Sequence, residues 1–138
     1  MKKAKIYALT AVMAITAIVM SSCGISSDVE YDKALMVGKW EEPSRLYEDV
    51  DTGEKLQGYN YEVYKADGTG YTWDTADDVT EAEAQKFTWT LEGDDLTQIH
   101  IMEMGASVPK VYTVTNLTET ELSYKDEYGK THSFTKVN

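Results

Sequence analysis

Lys86-Phe87-Thr88-Trp89-Thr90-Leu91-Glu92, then Gly93-Asp94, then Asp95-Leu96-Thr97-Gln98-Ile99-His100-Ile101-Met102-Glu103, is the stretch that decides the fold. Two alternating runs rich in aromatic and β-branched residues flank a two-residue turn signal, the pattern of a β-hairpin. So short a turn fixes register, pairing Leu91 with Leu96, Trp89 with Gln98 and Phe87 with His100. Strand side chains alternate between faces. One face then carries Phe87, Trp89, Leu91, Leu96, Gln98, His100 and Met102. The other carries Thr88, Thr90, Thr97, Ile99 and Ile101. The first is the more aromatic and is read as the inward face.

The same grammar repeats on both sides. Asn60–Lys65 and Gly70–Asp74 flank Ala66-Asp67-Gly68, where glycine supplies the left-handed residue of a turn. Lys110–Asn116 and Glu121–Lys125 flank Leu117–Thr120, and Thr131–Val137 follows the turn Glu127-Tyr128-Gly129. With Gly38–Glu41 this makes eight short strands, joined mostly as sequential hairpins. Pro43 and Pro109, the two prolines, suit strand starts or edges. Thr80 with Glu83 three residues on resembles a capping box, so one helical turn is predicted over Glu81–Lys86. Eight antiparallel strands in this length form a sandwich or a closed barrel. The meander connectivity favours the all-β, eight-stranded antiparallel up-and-down barrel, which has no exposed edge.

Register also predicts which side chains meet inside. The 127–129 turn pairs Tyr124 with His132 and Leu122 with Phe134, with Tyr112 and Val114 sharing that side. The Asp67-Gly68 hairpin groups Tyr59, Tyr61, Val63, Tyr71 and Trp73 on the aromatic face, which leaves Tyr64 on the opposite one. His100 and His132 both fall on inward faces, near Gln98, Trp89 and Tyr124. An inward polar group left unpaired costs about 1–3 kcal/mol. Either neighbouring tyrosines satisfy these histidines in a filled core, or they orient a ligand in a cavity.

The amino terminus reads differently. Met1-Lys2-Lys3-Ala4-Lys5 is a basic segment, Ile6–Met20 an apolar run, and Met20-Ser21-Ser22-Cys23-Gly24 brings small residues to the only cysteine. This has the length and flanks of a secretory signal, and is too short for an ordinary transmembrane helix. The cysteine at its end resembles the lipobox of bacterial lipoproteins. That resemblance implies cleavage before Cys23, attachment of lipid such as palmitate to Cys23, and a place in the cell envelope as an outer-membrane lipoprotein. The expected division is a signal peptide over 1–22, the lipidated cysteine and a flexible tether over 23–33, and a barrel domain over 34–138.

Thirteen basic and 24 acidic residues give a net charge of −11. Losing Lys2, Lys3 and Lys5 makes the remainder more negative still. Such a surface repels phosphate backbones, so nucleic acid is not expected as a partner. With its one thiol lipidated the chain has no disulfide and no thiol nucleophile. Two histidines far apart do not form a zinc site, and Asp74, Asp77 and Asp78 lack the alternation of a calcium loop. No phosphate-binding loop or nucleophile elbow occurs, and no metal, cofactor or catalytic residue is expected.

Val37-Gly38-Lys39-Trp40 resembles the Gly-x-Trp element opening the first strand of lipocalins and other calycins. Ala66-Asp67-Gly68-Thr69-Gly70, Phe87-Thr88-Trp89-Thr90-Leu91 and Ser133-Phe134-Thr135-Lys136-Val137 are similar to segments of bacterial lipocalin-like lipoproteins of the Bacteroides kind. The resemblance spans residues 34–138. It implies a barrel with Trp40 plugging its closed end, Gly38 before it and Lys136 stacked over the ring as the basic residue of the last strand. It further implies a non-enzymatic binding protein for a small apolar or amphipathic ligand. Phe87, Trp89, Tyr112, Tyr124 and Phe134 would line the site, while Gln98, His100 and His132 would orient the ligand. The alternative is a filled barrel whose outer surface, with tyrosines such as Tyr47 or Tyr64, binds an envelope protein.

Overall fold

The computed structural model describes residues 29–138. The signal-like segment, Cys23 and the tether as far as residue 28 lie outside the described residues. Eight strands follow in order: β1 (Gly38–Glu48), β2 (Lys55–Tyr64), β3 (Thr69–Asp74), β4 (Gln85–Glu92), β5 (Asp95–Ile101), β6 (Ser107–Leu117), β7 (Glu121–Lys125) and β8 (Thr131–Val137). Each pairs antiparallel with its neighbour in the chain, and β1 pairs with β8, so the sheet closes into an up-and-down barrel. The predicted registers at two hairpins hold. Leu91 faces Leu96 and Phe87 faces His100, while Tyr124 faces His132 and Leu122 faces Phe134.

The barrel has two unlike ends. Turns at 65–68, 93–94 and 118–120 share one end with the start of β1 and the end of β8. There Trp40, Tyr64, Phe87, Trp89, Leu91, Leu96, Val114, Leu122 and Phe134 pack into a buried core. Burying several aromatic rings together removes large apolar areas from water and is the main stabilising term. A single 3₁₀ turn, Lys33–Met36, closes this end; Asp32 caps it by accepting from the Ala34 N–H at 2.9 Å. The turn brings the Met36 carbonyl to the Trp40 indole, whose Nε1 donates to it at 2.9 Å. Lys136 Nζ lies 4.6 Å from the centre of the Trp40 ring and donates to the carbonyls of Val37 (3.0 Å) and Leu35 (3.4 Å). Gly38 makes this possible. Its φ is +139°, and a Cβ there would sit 3.1 Å from the Lys136 side chain. The Gly-x-Trp element is thus a close crossing of backbone and lysine above a buried indole.

Several expectations are corrected. The first strand does not stop at Glu41. It passes Pro43 by shifting register between Pro43 and Leu46, a bulge that accommodates the missing N–H, and continues to Glu48. The helical turn covers only Glu81–Glu83, with the Glu83 carboxylate accepting from the Thr80 N–H at 3.1 Å, because Gln85 already pairs with Thr72 in the sheet.

The larger correction concerns β2 and β3. Tyr59, Tyr61, Val63, Tyr71 and Trp73 are on the outer face, and Tyr64 points inward and is 1% exposed. The outer rings cover one another. Tyr61 and Trp73 stack at 4.8 Å, Tyr71 and Trp73 at 5.9 Å, and Lys39 Nζ lies 5.0 Å above Tyr61. An aromatic majority therefore marks a self-covered outer stripe here. The interior takes Glu62 and Tyr64 because Gly70, opposite Tyr64, leaves room for Phe87; a Cβ on Gly70 would lie 2.6 Å from that ring. Tyr64 is accordingly not available as an exposed contact residue, whereas Tyr47 is half-buried.

Candidate functional site

Toward the other end, with its turns at 49–54, 75–84, 102–106 and 126–130, the interior is not filled. A cavity of about 530 Å³ opens there. β2 supplies Asn60 and Glu62, β3 supplies Thr72, β5 supplies Gln98 and His100, and β6 contributes Val108 to Tyr112. Tyr124, the turn residues Asp126–Tyr128 and His132 complete the wall. The rings of Tyr112 and Tyr124 stack with centres 4.3 Å apart.

The floor is a hydrogen-bonded chain of buried polar side chains. Glu62, 4% exposed, accepts from the Tyr64 hydroxyl at 2.6 Å on Oε1 and from the Tyr124 hydroxyl at 2.8 Å on Oε2. Gln98 Nε2 donates to Tyr64 Oη at 2.6 Å, and His100 Nε2 meets Gln98 Oε1 at 2.7 Å. With its amide nitrogen turned to Tyr64, Gln98 offers His100 only a carbonyl oxygen, so the His100 proton sits on Nε2. All the donors in this chain point toward the Glu62 carboxylate.

Burial pushes the Glu62 pKa above its ordinary value, against the pull of the two tyrosine hydrogen bonds and with the Glu42 charge adding to the rise. Burial and then the charge of Lys110 pull His100 below its ordinary value, so the ring is neutral and Nδ1 is an acceptor. Tyr64 and Tyr124 are held well above the usual phenol range, first by burial and then by the Glu62 charge.

A second polar group spans the rim. His132 Nδ1 lies 3.1 Å from Glu42 Oε2, and its Nε2 lies 3.0 Å from Asp126 Oδ2. Burial alone would lower its pKa, but the hydrogen bonds and charges of Asp126 and Glu42 outweigh burial and raise it. The imidazolium can donate to both carboxylates at once, tying β1 to the turn between β7 and β8.

Of the residues singled out from sequence, Gln98, His100, Tyr112, Tyr124 and His132 line this cavity, whereas Phe87, Trp89 and Phe134 lie in the packed half. Gly38, Trp40 and Lys136 form the plug described above, and Cys23 lies outside the described residues. Glu62 was not singled out. Its signal was Gly70: a glycine at a crowded inner position places Tyr64, and with it Glu62, on the interior. Of the acidic cluster, Asp74 accepts from the Ser44 hydroxyl and the Ala76 N–H, both at 2.8 Å, and Asp77 pairs with Arg45.

No curated protein and no solved structure matches this chain. The family profile described as "Lipocalin-like domain" matches residues 36–124, from the plug at Met36 to the cavity wall at Tyr124. The chain belongs to the lipocalin-like domain family.

Proposed function

We propose that this protein is a membrane-tethered binding protein of the cell envelope, anchored by lipid on Cys23, whose barrel takes a small amphipathic ligand at its open end. The observation that carries the reading is the half-filled interior. A volume of about 530 Å³ falls within the range of about 300–1,000 Å³ usual for small-molecule sites. Val108 and the tyrosine rings offer apolar contact, and the Glu62–His100 chain offers fixed polar contacts, so the lining suits an amphipathic ligand better than a wholly apolar one. A second reading, an envelope protein bound on the outside, draws support from Ile99, Ile101, Met104 and Val111, which are exposed beside the mouth.

The ligand-binding reading is tested with the neutral fluorescent probe N-phenyl-1-naphthylamine and residues 24–138, which keep Tyr31 and the Asp32-capped turn. Enhanced fluorescence is expected with the wild type and not with Thr72→Phe, which fills the cavity from β3. A wild-type barrel that leaves the probe dark refutes it and shifts weight to the protein partner. Tethering is tested by incorporation of labelled palmitate in a bacterial host, expected for the full chain and abolished by Cys23→Ser. Label retained by the variant rules the anchor out.

A further inference from the structure

Resting on that ligand-binding reading, we infer that the ligand of the cavity carries a protonated amine, received by Glu62 and the tyrosine rings beside it. Glu62 is a buried carboxylate on the cavity floor, and among the described residues no lysine, arginine or histidine forms an ion pair with it. A carboxylate removed from water keeps its charge only where something compensates it, and otherwise takes up a proton. The two tyrosine hydroxyls compensate it partly, each occupying one lone pair on a different oxygen. A carboxylate has about four such acceptor sites, and with the Gln98 amide also bearing on Glu62, at least one stays open.

The surroundings are those of a cation site. Tyr112, partly buried and stacked over Tyr124, lines the same cavity, and an aromatic ring face attracts ammonium groups. His100 Nδ1 makes no hydrogen bond to a described residue and, on a neutral ring, accepts one from an N–H donor. Three kinds of group therefore line one cavity: a carboxylate, a lone-pair nitrogen and an aromatic ring. None of them donates a hydrogen bond into the cavity, because the protons of Tyr64, Tyr124 and His100 Nε2 are already committed to the chain ending at Glu62. A ligand bearing a carboxylate or phosphate would meet acceptors on the floor. Carboxylates also dominate the approach: Asp126 and Glu127 stand at the rim with Glu42 close behind, against Lys110 and the His132 that Glu42 and Asp126 already engage.

The test displaces N-phenyl-1-naphthylamine with three probes of nearly one shape: phenethylamine, protonated at neutral pH; propylbenzene, its neutral isostere; and phenylpropionate, an anion. Phenethylamine is expected to displace the dye at least about tenfold more effectively than either. Glu62→Gln should bring the ratio of amine to isostere to near one. Equal displacement by the three, or an advantage for the anion, overturns the inference while leaving the cavity reading standing. A wild-type barrel that does not take up the dye defeats both. If Glu62→Gln does not fold, the wild-type ranking still decides, and Tyr112→Leu, which removes one ring face, should reduce the amine's advantage several-fold. An unchanged ratio there counts against the aromatic contribution.

Discussion

At the closed end of the barrel the polar atoms are spent on the fold. The Trp40 indole N–H goes to Met36, and the Lys136 amine goes to two carbonyls and a ring face. At the open end two tyrosine rings, Tyr112 and Tyr124, line a cavity with a carboxylate on its floor. The two halves share the same eight strands and the same alternation, and differ in what the inward residues leave unsatisfied. Where the Trp40 and Lys136 donors meet backbone carbonyls and apolar atoms fill the space, the half is a foundation. Where polar side chains and a ring surround a void, it can receive something from outside. The packed core and the cavity thus lie at opposite ends of one sheet, and mutations at the two should separate cleanly.

The largest effect is expected at the foundation. Trp40→Ala should cost about 3–5 kcal/mol in urea unfolding, from the lost burial and the cavity left behind. A loss under about 1 kcal/mol would erase the distinction between the halves. The smallest effect is expected at the rim, and only with pH. The pKa of His132 lies above its ordinary value of 6.5, so its bridge to Glu42 and Asp126 contributes fully below about pH 6.5 and fades as pH rises through the folded value. His132→Gln should therefore lower the melting temperature at pH 6 and matter progressively less toward alkaline pH. A pH-independent difference between variant and wild type would mean that the ring packs against the rim without carrying charge there.

The sequence made some of this plain and hid the rest for physical reasons. Two-residue and short turns determine register, so the hairpins at Gly93-Asp94 and 127–129 could be read pair by pair, and with them the inward placing of Gln98, His100, Tyr124 and His132. The Trp40–Lys136 contact was reached through the family resemblance, and the geometry of Gly38 now supplies its cause. The β2–β3 pair misled because hydrophobic count is a poor guide where rings can shelter one another outside under Lys39. A glutamate in mid-strand ordinarily means solvent. Glu62 is inside because hydroxyls from its own strand and from β7 reach it, and the second of these is a contact across the barrel that no local pattern contains. The extension of β1 past Pro43 was hidden by the proline, whose bulge is visible only in the pairing.

The seam between β1 and β8 joins only Lys39 to Val137, Trp40 to Lys136 and Glu41 to Thr135. Every other strand pair is a hairpin between chain neighbours, which can form with little loop-closure entropy. The seam alone demands that the two extremes of the domain meet, so in kinetic terms the barrel is a ribbon that zips locally and is buttoned last. A buttoned ribbon also comes undone at the button. Local opening should start at these three pairs, with the amine of Lys136 as the fastening that delays it.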